Sequence, residues 1–245
     1  SPHHDGTHGS ARVLRMLVRV AGHQVGYVMQ RASADLRALA SSPAWSLPGA
    51  DADLMLRDMQ QVKTMGRMFT DITVYDRDGG IVASSSYENW ENEQYTDCFR
   101  VALEGRAAVS APGRVVGQEG LFLRFFAPVP DPDGRTRYVM SARFPFDRVA
   151  ENLRGLRLGR AGYLLLLDAR GTILEHPDSG RTLGRFDPAR SAREWLAHPQ
   201  GFYVQPDGQR FAYAAMALGP DHIGAADPWI LVGLRPYREI LAPMW

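Results

Sequence analysis

The residues of this chain that could do chemistry by type and spacing are three carboxylates, a loop histidine and several arginines. Asp76 and Asp78 stand in "ITVYDRDGGIVASS", and Asp168 in "YLLLLDARGTILEHPD". Paired carboxylates can exchange protons with a substrate. Here each copy has an apolar run, an Asp, a Gly three residues on (Gly79, Gly171) and a second apolar run. That order is a hairpin turn, in which the Asp side chain satisfies local backbone N–H groups. The three are therefore read as turn residues. No Gly-rich phosphate loop, G-x-S-x-G elbow or H-E-x-x-H pair occurs, so no enzyme activity is expected. His176, Asp178, Arg181 and Arg185 share "EHPDSGRTLGRF" without the spacing of a metal site, and are read as a loop over a sheet edge. His3, His4 and His8 carry no ligand spacing, and His198 and His222 neighbour turn residues. Neither metal nor cofactor is expected. Cys98 is the only cysteine, which excludes an intrachain disulfide and thiolate clusters.

Charge narrows the partners. With 28 Lys and Arg against 27 Asp and Glu, the net charge of +1 gives no electrostatic reason to expect nucleic acid. Hydrophobic residues at 45% and charged residues at 22% describe a globular chain. No stretch approaches the roughly 20 apolar residues that span a bilayer.

The elements that would position these residues repeat. The two Asp/Gly sentences lie about 90 residues apart, a spacing that marks a structural repeat. Ahead of them, apolar residues recur at helical spacing from Ala11 to Ala40, among them Val13, Leu14, Leu17, Val20 or Ala21, Val25, Val28, Leu36 and Leu39. One long amphipathic helix is expected there, behind a flexible leader over residues 1–10. It exceeds the usual length of about 11–12 residues, so it packs on more than one module or on a partner helix. A second helix is expected from Asp51 to Phe69, with "DADL" as its acidic start. Each half then reads as hairpin, short helix and antiparallel strands. In the second half, "DPARSAREWLAHP" is expected to begin its helix behind Asp187 with Pro188 at the first position. The class is α+β: a long N-terminal helix followed by two PAS-like modules, each an antiparallel sheet flanked by helices.

Three stretches in this order carry a family resemblance: "YTDCFRVALEGR", "FFAPVPDPDGRTRYVMSARFPFDRVAENL" and "YLLLLDARGTILEHPDSGRTLGRF". The series resembles the double Cache sensor domain, a PAS-like extracytoplasmic domain of bacterial transmembrane receptors. The resemblance implies a membrane-distal module over residues 41–152, a membrane-proximal module over 153–235 and an exit segment, 236–245, toward a second membrane helix. The chain would then be the periplasmic, extracytoplasmic portion of an inner-membrane protein, flanked by membrane helices and dimerising through the N-terminal helix. A histidine kinase is the preferred output, with a diguanylate cyclase or chemoreceptor also compatible.

The resemblance further implies a ligand pocket in the distal module, under a lid formed by Tyr87, Trp90, Tyr95, Thr96, Asp97, Cys98 and Phe99. Amino-acid-binding members carry an Arg on the lid helix and an Asp on the last strand. Here Thr96 and Arg143 stand at those positions, so the strand charge is reversed. The expected ligand is a small anion such as an organic acid, bound by Tyr87, Trp90, Tyr95, Thr96, Phe99, Arg124, Phe126 and Arg143. Alternatively Arg143 pairs with a carboxylate such as Asp97 or Glu119. A protein-interaction module without a small ligand is the second reading, its pocket self-filled by Phe122, Phe125, Phe126 and Phe144.

Overall fold

In the computed structural model, which describes residues 2–42, 45, 52–66, 69–85, 97–218 and 228–241, the strand-forming runs assemble into two antiparallel sheets. Helix α1 (Pro2–Ala40) and α2 (Ala52–Gly66) precede the first sheet. That sheet contains β1 (Asp71–Tyr75), β2 (Ile81–Ser84), β3 (Ala108–Val109), β4 (Gly113–Arg114), β5 (Leu121–Pro130) and β6 (Thr136–Pro145). Helix α3 (Asp97–Leu103) lies between β2 and β3 in the chain, and α4 (Asp147–Arg154) follows β6. The second sheet contains β7 (Tyr163–Leu167), β8 (Ile173–Glu175), β9 (Gln200–Val204), β10 (Arg210–Leu218) and β11 (Trp229–Pro236). Helix α5 (Ala192–Ala197) precedes β9 and α6 (Tyr237–Leu241) follows β11. The α+β class is the expected one.

The repeat is real at the level of topology. The first sheet runs β2-β1-β6-β5-β3, with β4 also on β5, and the second runs β8-β7-β11-β10-β9. Strand for strand the order is the same. The turns match as well: the Asp76 carboxylate accepts the backbone N–H groups of Asp78 and Gly80, as that of Asp168 accepts those of Arg170 and Thr172. Gly79 and Gly171 adopt φ of 84° and 83°, a left-handed geometry that costs a glycine nothing.

Contacts divide the chain into two units, residues 28–147 and residues 1–27 with 148–245. Helix α1 is thus shared, its residues 2–27 belonging with the second sheet. Its buried stripe is Leu14, Val18, Ala21, Val25, Met29, Ala32 and Leu36, at steps of three or four. Of the expected apolar positions, Leu14, Ala21, Val25 and Leu36 fall in that stripe, with Ala21 rather than Val20 facing inward, while Val13 is exposed. Close approach needs glycine here. A Cβ on Gly233 of β11 would come within 2.5 Å of Val18 Cγ2, and one on Gly22 within 2.5 Å of Met216 Sδ.

Two expectations are corrected. Helix α1 starts at Pro2, so residues 2–10 continue the helix and are no loose leader. Proline is tolerated in a first turn, and extending an existing helix is far easier than nucleating one. The helix of the second module starts behind Ser191, not Asp187: the Ser191 hydroxyl accepts the Glu194 N–H. Asp187 is engaged elsewhere, accepting the Ala189 N–H and the Tyr203 hydroxyl.

Candidate functional site

The pairing of β1, β6 and β5 decides which side chains share a face. In antiparallel sheets, directly opposite residues lie side by side on one surface. Asp71 opposes Arg143, which opposes Arg124, while Thr73, Ser141 and Phe126 form the next row and Tyr75, Val139 and Pro128 the third. Helix α3 covers part of this face, packing Phe99 and Ala102 against Tyr75, Phe126 and Val139. The opposite face carries Phe125 and Phe144, which meet Phe69 edge-on in a separate aromatic cluster. Of the four Phe expected to fill a pocket, Phe125 and Phe144 therefore lie on the other side of the sheet.

Two guanidiniums opposed across a strand pair repel one another, an arrangement that costs stability unless an anion lies between or beside them. The Arg143 side chain is nine-tenths buried; among the described residues its carboxylate neighbour is Asp71 at 4.0 Å, and its buried Nε has no hydrogen-bond partner. Asp71 itself accepts the Ser85 hydroxyl at 3.0 Å. The Arg143 guanidinium lies 6.0 Å from the centre of the Phe122 ring, at the outer reach of a cation–π contact. Arg124 hydrogen-bonds the Tyr75 hydroxyl, whose pKa burial nonetheless pushes up, so it stays protonated. Thr73 and Ser84 hydroxyls pair at 3.0 Å at the edge of the same face. The arrangement offers cations, hydroxyls and one carboxylate on a half-covered apolar floor, with the donor types that hold a carboxylate or a zwitterion.

Of the expected ligand residues, Phe99, Arg124, Phe126 and Arg143 are brought to this face, with Phe99 and Phe126 fully packed beneath α3. Tyr87, Trp90, Tyr95 and Thr96 lie outside the described residues. The expected carboxylate partners of Arg143 are not the ones found: Asp97 is exposed and pairs with Arg100 at 2.7 Å, and Glu119 is exposed. Asp71, Thr73, Tyr75 and Ser141 escaped the sequence reading. Their signal was the alternation in "DITVY" and "YVMSARF", which only a known register turns into a shared face. Burial, and secondarily Asp97, raises the pKa of the Cys98 thiol, which disfavours its thiolate.

In the second unit, His176 is buried, its Nδ1 accepting the Asp178 N–H at 2.9 Å while Arg181 stands 3.3 Å from Nε2. Burial and the Arg181 charge hold its pKa below the usual value. A cleft of about 440 Å³ lies beside it, with Arg154 already paired to Glu175 at 2.8 Å. Among the described residues no three His, Cys, Asp or Glu side chains converge as a metal site, and no helix is long and apolar enough to cross a membrane.

The Cache domain family model matches residues 9–244. The ligand-binding domain of the Pseudomonas aeruginosa PAO1 amino acid chemoreceptor PctC, in complex with GABA, is similar at 18% identity and TM-score 0.72, over 92% of this chain and 99% of that one. The periplasmic sensory domain of the Campylobacter jejuni chemoreceptor Tlp1 is similar at 13% identity and TM-score 0.71, over 98% and 99%. A domain of a putative sensory box/GGDEF family protein from Vibrio parahaemolyticus is similar at 13% identity and TM-score 0.69, over 97% and 100%. No curated protein matches the chain at a significant level. At such identities the likeness to solved structures is one of fold.

Proposed function

From the premise that this chain belongs to the Cache-domain family, in its double-module form, as an extracytoplasmic sensory part of a membrane receptor, we propose that its first module binds a small carboxylate-bearing molecule against Arg143. The observation that carries this reading is Arg143 itself: a nine-tenths buried guanidinium whose Nε has no partner among the described residues, with the Asp71 carboxylate at the limit of an ion pair. A ligand carboxylate would complete it with charge-assisted hydrogen bonds, and Arg124 stands across from it on β5. Thr73 and Ser141 supply polar edges.

Asp71 favours a second reading within the same site. A carboxylate beside Arg143 gives a zwitterion both counter-groups, and the similar PctC domain is in complex with GABA, which carries both charges. The negative group that the last strand lacks is thereby supplied from β1. A thermal-shift series with organic acids, amino acids and amines, on the parent chain, R143A and D71N, separates the readings. Shifts from organic acids that vanish in R143A and survive in D71N support an anion site. Shifts from amino acids lost in both variants support the zwitterion. Shifts that survive R143A would place the ligand elsewhere.

Signalling follows from differential affinity: a ligand that prefers one arrangement of α3 over the sheet biases the module toward it. For assembly, α1 leaves Val13, Met16, Val20 and Tyr27 exposed, at 44–62%, with spacings of three, four and seven. Such a solvent-facing heptad stripe fits a parallel homodimer of this chain. The similar domains serve chemoreceptors and a GGDEF-family protein, so the fold specifies the sensory half and leaves the output open.

A further inference from the structure

We infer that the second module carries a cation cage closed on a built-in ligand, the guanidinium of Arg190. Its Cζ lies 4.1 Å from the centre of the Trp195 ring, 5.1 Å from Tyr213 and 5.3 Å from Tyr203. These three rings are 2%, 4% and 3% exposed. One guanidinium nitrogen donates to the Tyr213 hydroxyl at 3.1 Å, which in turn donates to the His198 carbonyl. The Tyr203 hydroxyl donates to the Asp187 carboxylate at 2.9 Å, so an anion closes the rim of the cage. The Arg190 Nε is buried, with no hydrogen-bond partner among the described residues. Several aromatic faces around one half-buried cation, with a carboxylate nearby, form a recognition site for an alkylguanidinium or alkylammonium ion.

The place of the cage in the fold gives it meaning. Tyr213 lies on β10 and Tyr203 on β9, the equivalents of β5 and β3 in the first sheet, and Trp195 lies on α5, the equivalent of α3. The cage thus occupies, in the second module, the position between sheet and short helix that the Arg143 face occupies in the first. In the second module Arg190, one residue before the α5 N-cap, fills that position from within. The tethered cation pins α5 to its sheet and leaves the second module as a fixed element that takes no free ligand.

Chemical rescue tests this on the 245-residue chain. R190G is expected to melt several degrees lower than the parent, and millimolar methylguanidinium to restore on the order of 3 °C at constant ionic strength. The parent chain should show no such gain, and the neutral isostere methylurea should not substitute. Equal effects of both compounds, or none from either, would overturn the proposal. Should R190G fail to fold, R190K and R190M decide: a cage ranks the Lys variant above the Met variant in melting temperature. The reverse order or equality would reduce Arg190 to packing and refute the cage. None of these outcomes depends on what the first module binds.

Discussion

At the scale of single residues, the proposed function rests on a buried charge that the fold pairs only incompletely. Arg143 is kept nine-tenths buried beside Asp71 at 4.0 Å, and opposite Arg124. Removing one charge-assisted partner typically costs about 1.5–3 kcal/mol, so R143A should weaken carboxylate binding roughly 10- to 100-fold by calorimetric titration. D71N should tighten binding of a simple anion, because it removes a competitor for the same guanidinium. If R143A and the parent chain bind equally, the ligand does not sit on this strand. His176 gives a pH prediction. Its folded pKa is lowered by burial and by Arg181, so the unfolded chain takes up the proton first. Its contribution to stability is therefore complete above the unfolded value of about 6.5 and is lost as pH falls below it. Melting temperature should drop on acidification through that range, and H176Q should flatten the slope.

At the scale of elements, glycines set how closely α1 lies on the second sheet. A Cβ at Gly233 meets Val18 Cγ2 at 2.5 Å and Leu158 Cδ1 at 3.2 Å, and a β-branched valine cannot turn aside easily. G233A should cost about 1–3 kcal/mol by urea denaturation. G22A should cost less, because the atom it meets is the Sδ of Met216, near the end of a flexible side chain. The exposed stripe of α1 makes a separate prediction. M16K with V20K should abolish self-association in sedimentation velocity while leaving the monomer's melting temperature unchanged, since both side chains face solvent. Unchanged association would move the dimer contact to another surface.

For the whole molecule, one topology used twice has two fates. The first module buries an incompletely paired arginine, Arg143, on its sheet face, and the second surrounds Arg190 with its own rings. A ligand at about 100-fold its dissociation constant stabilises by about 2.7 kcal/mol, which for a chain of this size raises the melting temperature by roughly 5–10 °C. That shift should vanish in R143A and persist in R190K, because each substitution touches one module. Loss of the shift in R190K would mean that the ligand enters the second module instead.

The sequence by itself determined what depends on near neighbours. The Asp/Gly turns, the long helix, the order of strands, the internal repeat and the family were all legible, because turn chemistry and periodicity act over a few residues. It also singled out Arg124 and Arg143. Only the tertiary structure decided that Asp71, 72 residues before Arg143, is its carboxylate neighbour, since that follows from the register of β1 on β6. A slip of one residue would turn Asp71 to the other face. In the same way Phe125 and Phe144 were separated from the site by strand parity, and Asp187 was released from the expected helix cap because Tyr203 and a local turn hold it. The cage around Arg190 draws on a loop, a helix and two strands. No local pattern encodes such a meeting, because the contacts that create it exist only once the sheet has closed on its helix.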